Sequence, residues 1–102
     1  MLIAGDDDQL WSSLKASRAI MDRLNETGHT AKFGNQILCY PGLGHWFPLP
    51  GTPTTHFDRF VYDETRKAAV LMGGTAAATA KAVRDADQKI RTFLERSLKL
   101  KT

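Results

Sequence analysis

The chain has 102 residues, of which 42% are hydrophobic and 25% charged, and its net charge is +3. That length allows one small domain over residues 1–102 with a modest core. The mild charge, interspersed between both signs rather than striped with aromatics, argues against a nucleic-acid surface. No apolar run approaches the roughly 18 residues needed to span a membrane, so no membrane partner is expected. No basic-then-apolar leader opens the sequence. Cys39 is the single cysteine and leaves no intrachain disulfide to form, so the expected compartment is the reducing cytoplasm.

Met1 to Ala4 is a short apolar run closed by Gly5, which predicts a buried strand. Residues 6–11 form a polar loop ending on Trp11. Ser12 and Ser13 are N-cap candidates. Leu14, Ser17, Ile20, Met21 and Leu24 then recur at helical spacing, and Gly28 stands where a left-handed cap belongs. The spacing predicts a helix over Ser13–Thr27 with Arg18, Asp22, Arg23 and Glu26 in solvent. Residues 29–35 read as a polar connection, and Gln36 to Tyr40 as a second strand ended by Pro41-Gly42. Strand, helix and strand at these lengths make a βαβ unit with parallel strands and a right-handed crossover.

Pro48, Pro50, Gly51 and Pro53 make residues 46–56 an ordered loop, with Trp46 and Phe47 as its apolar anchor. Phe57 to Met72 is ambiguous between a short helix near Asp63–Ala69 and a further loop. Gly73-Gly74 punctuates the chain, and Thr75 is the N-cap of a long final helix. Its apolar stripe is Ala76, Ala80, Val83, Ala86, Ile90, Phe93, Leu94 and Leu98. Asp85 with Lys89, and Asp87 with Arg91, are i,i+4 pairs of favourable order, each worth a few tenths of a kcal/mol.

Two tetrads carry the chemistry. Gly5-Asp6-Asp7-Asp8 follows the first strand, and Gly42-Leu43-Gly44-His45 follows the second. An acid and a histidine just past the carboxyl ends of two strands stand where a hydrolase keeps the last two members of a nucleophile–acid–histidine triad. In that chain order the nucleophile comes first. Neither Gly-x-Ser-x-Gly nor Gly-x-Cys-x-Gly occurs in these 102 residues. Taken alone, Asp8 suits an ordinary turn better than a catalytic role; His45 in register is what favours the triad reading.

The run Asp6-Asp7-Asp8 lacks the alternating ligands of a calcium loop, so a solvated acidic turn is expected there and no metal. Cys39 lies inside the apolar strand, where a small buried hydrophobe is the ordinary role. It also falls on the wrong side of the triad for a nucleophile. His29 and His56 lie in polar loops and are expected in solvent, and the three histidines have no zinc spacing. Nothing indicates a cofactor.

The whole chain resembles the C-terminal part of the acyl-CoA thioesterase and bile-acid-CoA:amino-acid N-acyltransferase family. The matching pieces are Leu2-Ile3-Ala4-Gly5-Asp6-Asp7-Asp8-Gln9-Leu10-Trp11, Cys39-Tyr40-Pro41-Gly42-Leu43-Gly44-His45, Pro48-Leu49-Pro50, and Gly73-Gly74 with the alanine-rich start from Ala76 to Ala82. The resemblance implies an α/β-hydrolase fold, here its C-terminal βαβ-plus-helix portion. It places the triad acid on Asp8 and the triad histidine on His45, with the nucleophile absent. Ala76 and Asp87 depart from the family pattern, and the loop before the second strand is longer.

Two strands seldom stand alone as a sheet. In the parent fold the first strand has a further neighbour, so its bare edge predicts a homodimer or docking onto the missing hydrolase half. Three functions follow. The first is a stand-alone or truncated hydrolase portion, inactive alone, with Trp46 and Phe47 near an acyl-type small molecule. The second is a thioester hydrolase or acyltransferase completed in trans by a partner carrying the nucleophile. The third is a non-catalytic interaction module.

Overall fold

The computed structural model describes residues 1–56 and 60–100. Strand β1, Leu2–Gly5, pairs in parallel with β2, Ile37–Tyr40, in the register Leu2↔Ile37 to Gly5↔Tyr40. Between them run helix α1, Ser13–Glu26, and a short helix α2, His29–Phe33. A 3-10 turn at Thr54–His56 precedes strands β3, Phe60–Asp63, and β4, Ala68–Leu71. Helix α3, Ala76–Leu98, closes the chain. The fold is therefore α/β with a parallel pair joined through helix, as expected, plus an antiparallel pair that was not.

The core is thin. Its fully enclosed apolar residues are Ala4, Leu43, Ala82, Val83 and Ala86. Ala4 lies on β1, against which α1 packs, and the others lie on the loop after β2 and the N-terminal half of α3, which packs on β2. Thr75 caps α3 by accepting the Ala78 N–H at 3.2 Å, and Tyr40 donates its hydroxyl to Asp85 of α3 at 2.7 Å. That bond ties β2 to the helix. Burial and the acid beside it push the Tyr40 hydroxyl well above the usual phenol range. The pairs Asp85–Lys89 and Asp87–Arg91 both form, at 2.7 and 3.1 Å.

Several expectations are corrected. Residues 29–35 are not a plain connection, because α2 forms between left-handed Gly28 and Gly34. The His29 and Phe33 rings pack at 4.5 Å, and the Asn35 side chain bonds back to His29 Nδ1 and Thr30 Oγ1. Cys39 is exposed, not buried. Ile20, Leu94 and Leu98 fall on their predicted stripes yet stay exposed. Trp46 and Phe47 are also exposed, so they do not anchor their loop from within. The expectation for the His56 side chain falls outside the described residues.

The segment read as helix or loop is a hairpin from Phe60 to Leu71, with Phe60↔Leu71 and Tyr62↔Ala69 paired across it; residues 57–59 of that reading lie outside the described residues. Its turn is set by Asp63, whose Oδ1 accepts the N–H groups of Thr65 and Arg66 at 2.9 and 3.2 Å. Lys67 completes the turn at φ 52°.

Three loops meet at the carboxyl end of the parallel pair, and glycine lets them touch. A Cβ on Gly5 would come within 2.0 Å of the Leu43 carbonyl oxygen, and one on Gly73, whose φ is +72°, within 1.8 Å of that of Asp7. Gly73→Ala combines this clash with a left-handed conformation, so it is expected to lower unfolding free energy by more than about 4 kcal/mol. Gly51 has a φ of +85° but open space around its Cβ position. Gly51→Ala is expected to cost only about 1–2 kcal/mol. Urea unfolding of the two variants checks the contrast.

Candidate active site

The acid loop starts where β1 ends, and each of its three aspartates holds a different strip of backbone. Asp6 accepts the Gly42 N–H at 2.7 Å, pinning the start of the histidine loop. Asp7 accepts the Gly74 N–H through Oδ2 and the Gln9 amide through Oδ1, both at 2.8 Å. Asp8 folds back on its own loop, with Oδ1 accepting the N–H groups of Leu10 and Trp11 at 3.0 and 3.3 Å. The run is thus more than the solvated turn expected of it, because each carboxylate is tied to amide groups. Among the described residues no cluster of His, Cys, Asp and Glu could hold a metal ion.

The histidine loop is placed by main-chain bonds. The Asp7 N–H donates to the Leu43 carbonyl at 3.0 Å, and Leu43 is buried as the loop's internal anchor. The His45 N–H donates to the Met72 carbonyl at 2.8 Å, and Gln9 N–H reaches the same oxygen at 3.4 Å. The Thr75 N–H donates to the Gly42 carbonyl at 3.3 Å. Acid loop, histidine loop and the strip Met72–Thr75 therefore form one hydrogen-bonded unit.

Within that unit Asp8 Oδ2 lies 3.3 Å from His45 Nδ1. The carboxylate side chain is 4% exposed and the imidazole 35%. Burial raises the Asp8 pKa, but hydrogen bonds from the Ser13 side chain, the Trp11 amide, the His45 ring and the Leu10 amide outweigh it and hold the group below its ordinary value. An ionised carboxylate only accepts, so Nδ1 must carry the proton and Nε2 of the neutral ring is the basic nitrogen. The contact is longer than the about 2.7–2.9 Å of a tight charge-assisted bond. Catalytic hydrogen bonds are commonly loose before substrate binds.

A shallow depression opens beside the pair, lined by Ile3, Trp11, Ser13, Leu43 and Phe47 among others. Of the two aromatics singled out from sequence, Phe47 lines it and Trp46 does not. Trp11 and Ser13 were missed as site residues. The N-cap reading of Ser13 was the nearest signal, since a hydroxyl at a helix start is well placed to meet a preceding loop.

Residues 1–100 match the family model described as BAAT / Acyl-CoA thioester hydrolase C terminal. The chain belongs to that family. It is 35% identical over 98 residues to human acyl-coenzyme A thioesterase 6 and 32% identical over 104 residues to mouse acyl-coenzyme A thioesterase 5. It is 33% identical over 100 residues to the mouse peroxisomal succinyl-coenzyme A thioesterase. Each match covers 96% of this chain and 22% of the relative. The family thus includes curated thioesterases of which this chain spans about a fifth. Among the described residues no helix is long and apolar enough to cross a membrane.

Because the folded Asp8 pKa lies below its unfolded value, the carboxylate stabilises the fold above about pH 4. That contribution is lost as pH falls through the lower, folded value. Asp85, held low by its bonds from Lys89 and Tyr40, acts in the same window. The difference between wild type and Asp8→Asn therefore isolates Asp8. Urea midpoints from pH 7 to 2.5 are expected to converge between the two proteins as the acid limb is descended.

Proposed function

We propose that these 102 residues carry the acid–histidine half of an acyl-CoA thioester hydrolase built on the α/β-hydrolase fold. By themselves they are inactive. The observation that carries the reading is the buried Asp8 carboxylate bonded to Nδ1 of His45 at 3.3 Å, which leaves Nε2 as the base. Family membership supplies the substrate class. The missing element is the nucleophile.

In the assembled site, Nε2 of His45 takes the proton of a Ser or Cys nucleophile as that atom attacks the thioester carbonyl. The C–S bond then breaks, the CoA sulfur leaves with the proton held on Nε2, and an acyl-enzyme remains. Nε2 next deprotonates water, or an amino acid in a transferase, and the acyl group is released. Asp8 keeps the ring in the tautomer this needs and stabilises the imidazolium.

A nucleophile supplied by a partner polypeptide is supported by the open side of the parallel pair. Among the described residues β1 pairs only with β2, and Trp11 and Ile20 are exposed. Backbone groups on such an edge need partners. A polypeptide carrying the nucleophile elbow completes the sheet there, and in its absence a second copy does so as a homodimer. A purely non-catalytic interaction role remains as the contrasting reading, in which Asp8 and His45 are dispensable together.

Two measurements test this. Size-exclusion chromatography with light scattering at micromolar concentration is expected to give a dimer, and a clean monomer overturns the edge-pairing reading. In a thioesterase assay the purified chain is expected to be silent. Adding the nucleophile-bearing remainder of a relative is expected to give hydrolysis that His45→Ala lowers by about 10³–10⁴-fold or more. Turnover by the chain alone that His45→Ala abolishes refutes inactivity. Hydrolysis in the mixture that ignores His45→Ala refutes the assigned role.

A further inference from the structure

No other described helix or strand comes within 8 Å, Cα to Cα, of the hairpin Phe60–Leu71. Its register puts Phe60, Tyr62, Ala69 and Leu71 on one face. Phe60 is 57% exposed, Tyr62 60% and Leu71 54%. A two-stranded hairpin is at best marginal in water without something against its apolar face. Val61 and Val70 form the opposite face with Asp63 and Ala68. Val61 is 40% exposed, so the aromatic face is the more open of the two.

The position of this face matters. Phe60 and Leu71 form the pair at the root of the hairpin, and the next residue after Leu71 is Met72. The Met72 carbonyl is the acceptor for the His45 N–H at 2.8 Å. An exposed apolar pair thus begins within one residue of the main chain that holds the imidazole, and the face runs outward from there through Tyr62 and Ala69.

The size of the face decides its occupant. With Phe and Tyr each able to bury about 150–250 Å², the exposed parts of Phe60, Tyr62 and Leu71 offer about 300 Å². Two copies stacked through this face bury about 600 Å², well short of the about 1,200 Å² of a specific protein interface. The same area is ample for one narrow aliphatic chain laid along two strands.

We infer that the Phe60–Tyr62–Leu71 face of the hairpin is a docking strip for the acyl tail of a thioester whose carbonyl lies at His45. This assignment rests on the thioesterase reading of the site. Phe60 and Leu71 meet the carbons nearest the carbonyl, and Tyr62 meets the more distal ones. Short acyl groups do not reach the strip, so its contribution grows with chain length.

The test uses the whole chain with decanoyl-CoA and acetyl-CoA as probes, which share the CoA moiety and differ in the tail. Calorimetry is expected to show decanoyl-CoA binding at least tenfold more tightly than acetyl-CoA. Phe60→Ser and Tyr62→Ser are expected to remove most of that difference and leave acetyl-CoA binding unchanged. A decanoyl-CoA carrying a spin label at the tail terminus supplies a second readout that needs no substitution. It is expected to broaden the amide signals of Tyr62 and Ala69 in the unaltered protein. Broadening confined to Trp11 and Phe47 overturns the inference, as do a tenfold preference that survives both substitutions and an absence of any chain-length preference. A dimer that protects the hairpin amides without ligand overturns it as well. The two levels separate cleanly. If the reconstituted hydrolase works but tail preference ignores the hairpin, the strip is wrong and the catalytic reading stands. If reconstitution gives no hydrolysis while the label still broadens the hairpin, the catalytic reading fails and the strip stands.

Discussion

The approach of three backbones at the carboxyl end of β1 and β2 governs the rest of this structure. A Cβ on Gly44 would stand 2.4 Å from the Gly73 carbonyl, and one on Gly5 or Gly73 would overlap its neighbour further still. Only because these positions carry no side chain can the loops exchange main-chain hydrogen bonds directly. Those bonds set the distance between an acid that follows β1 and a histidine that follows β2. The arrangement also fixes where the chain leaves the site, because Met72 to Gly74 must turn sharply to feed α3.

Much of this was legible in the residues. Alternation of apolar runs with Gly-led polar loops located β1, α1 and β2 to within a residue or two, and the order of elements dictated parallel pairing. Thr75 announced the start of α3, and the spacing of its acids and bases announced both ion pairs. The two tetrads announced that Asp8 and His45 stand at neighbouring strand ends, and they lie in hydrogen-bond contact. The family resemblance also held.

What escaped has identifiable causes. The hairpin was hidden because Val61 interrupts the alternation of Phe60 and Tyr62, and because its turn is built on an Asp63 side chain and a left-handed Lys67 rather than on glycine. Helix α2 was hidden because it is one short turn held by a ring contact and an asparagine, neither of which has a periodic signature. The exposure of Cys39, Ile20 and Leu98 was misjudged for a different reason. Local pattern states which face of an element is apolar, not whether anything lies against it. For the acidic run, composition suggested solvation, whereas each carboxylate turned out to complement amide groups that glycine-rich loops leave without a ladder partner.

The way Asp8 is held has a bearing on how such a site drifts over generations. One carboxylate oxygen is satisfied by two peptide N–H groups of its own loop. Every residue except proline offers that donor, so the orientation of the acid depends little on which side chains occupy positions 10 and 11. Substitution can therefore accumulate at positions 10 and 11 while the geometry persists, whereas Ser13 bonds the acid through its side chain and is less free to change. The glycines, by contrast, have no substitute. The geometry of the pair therefore lies chiefly in the path of the main chain.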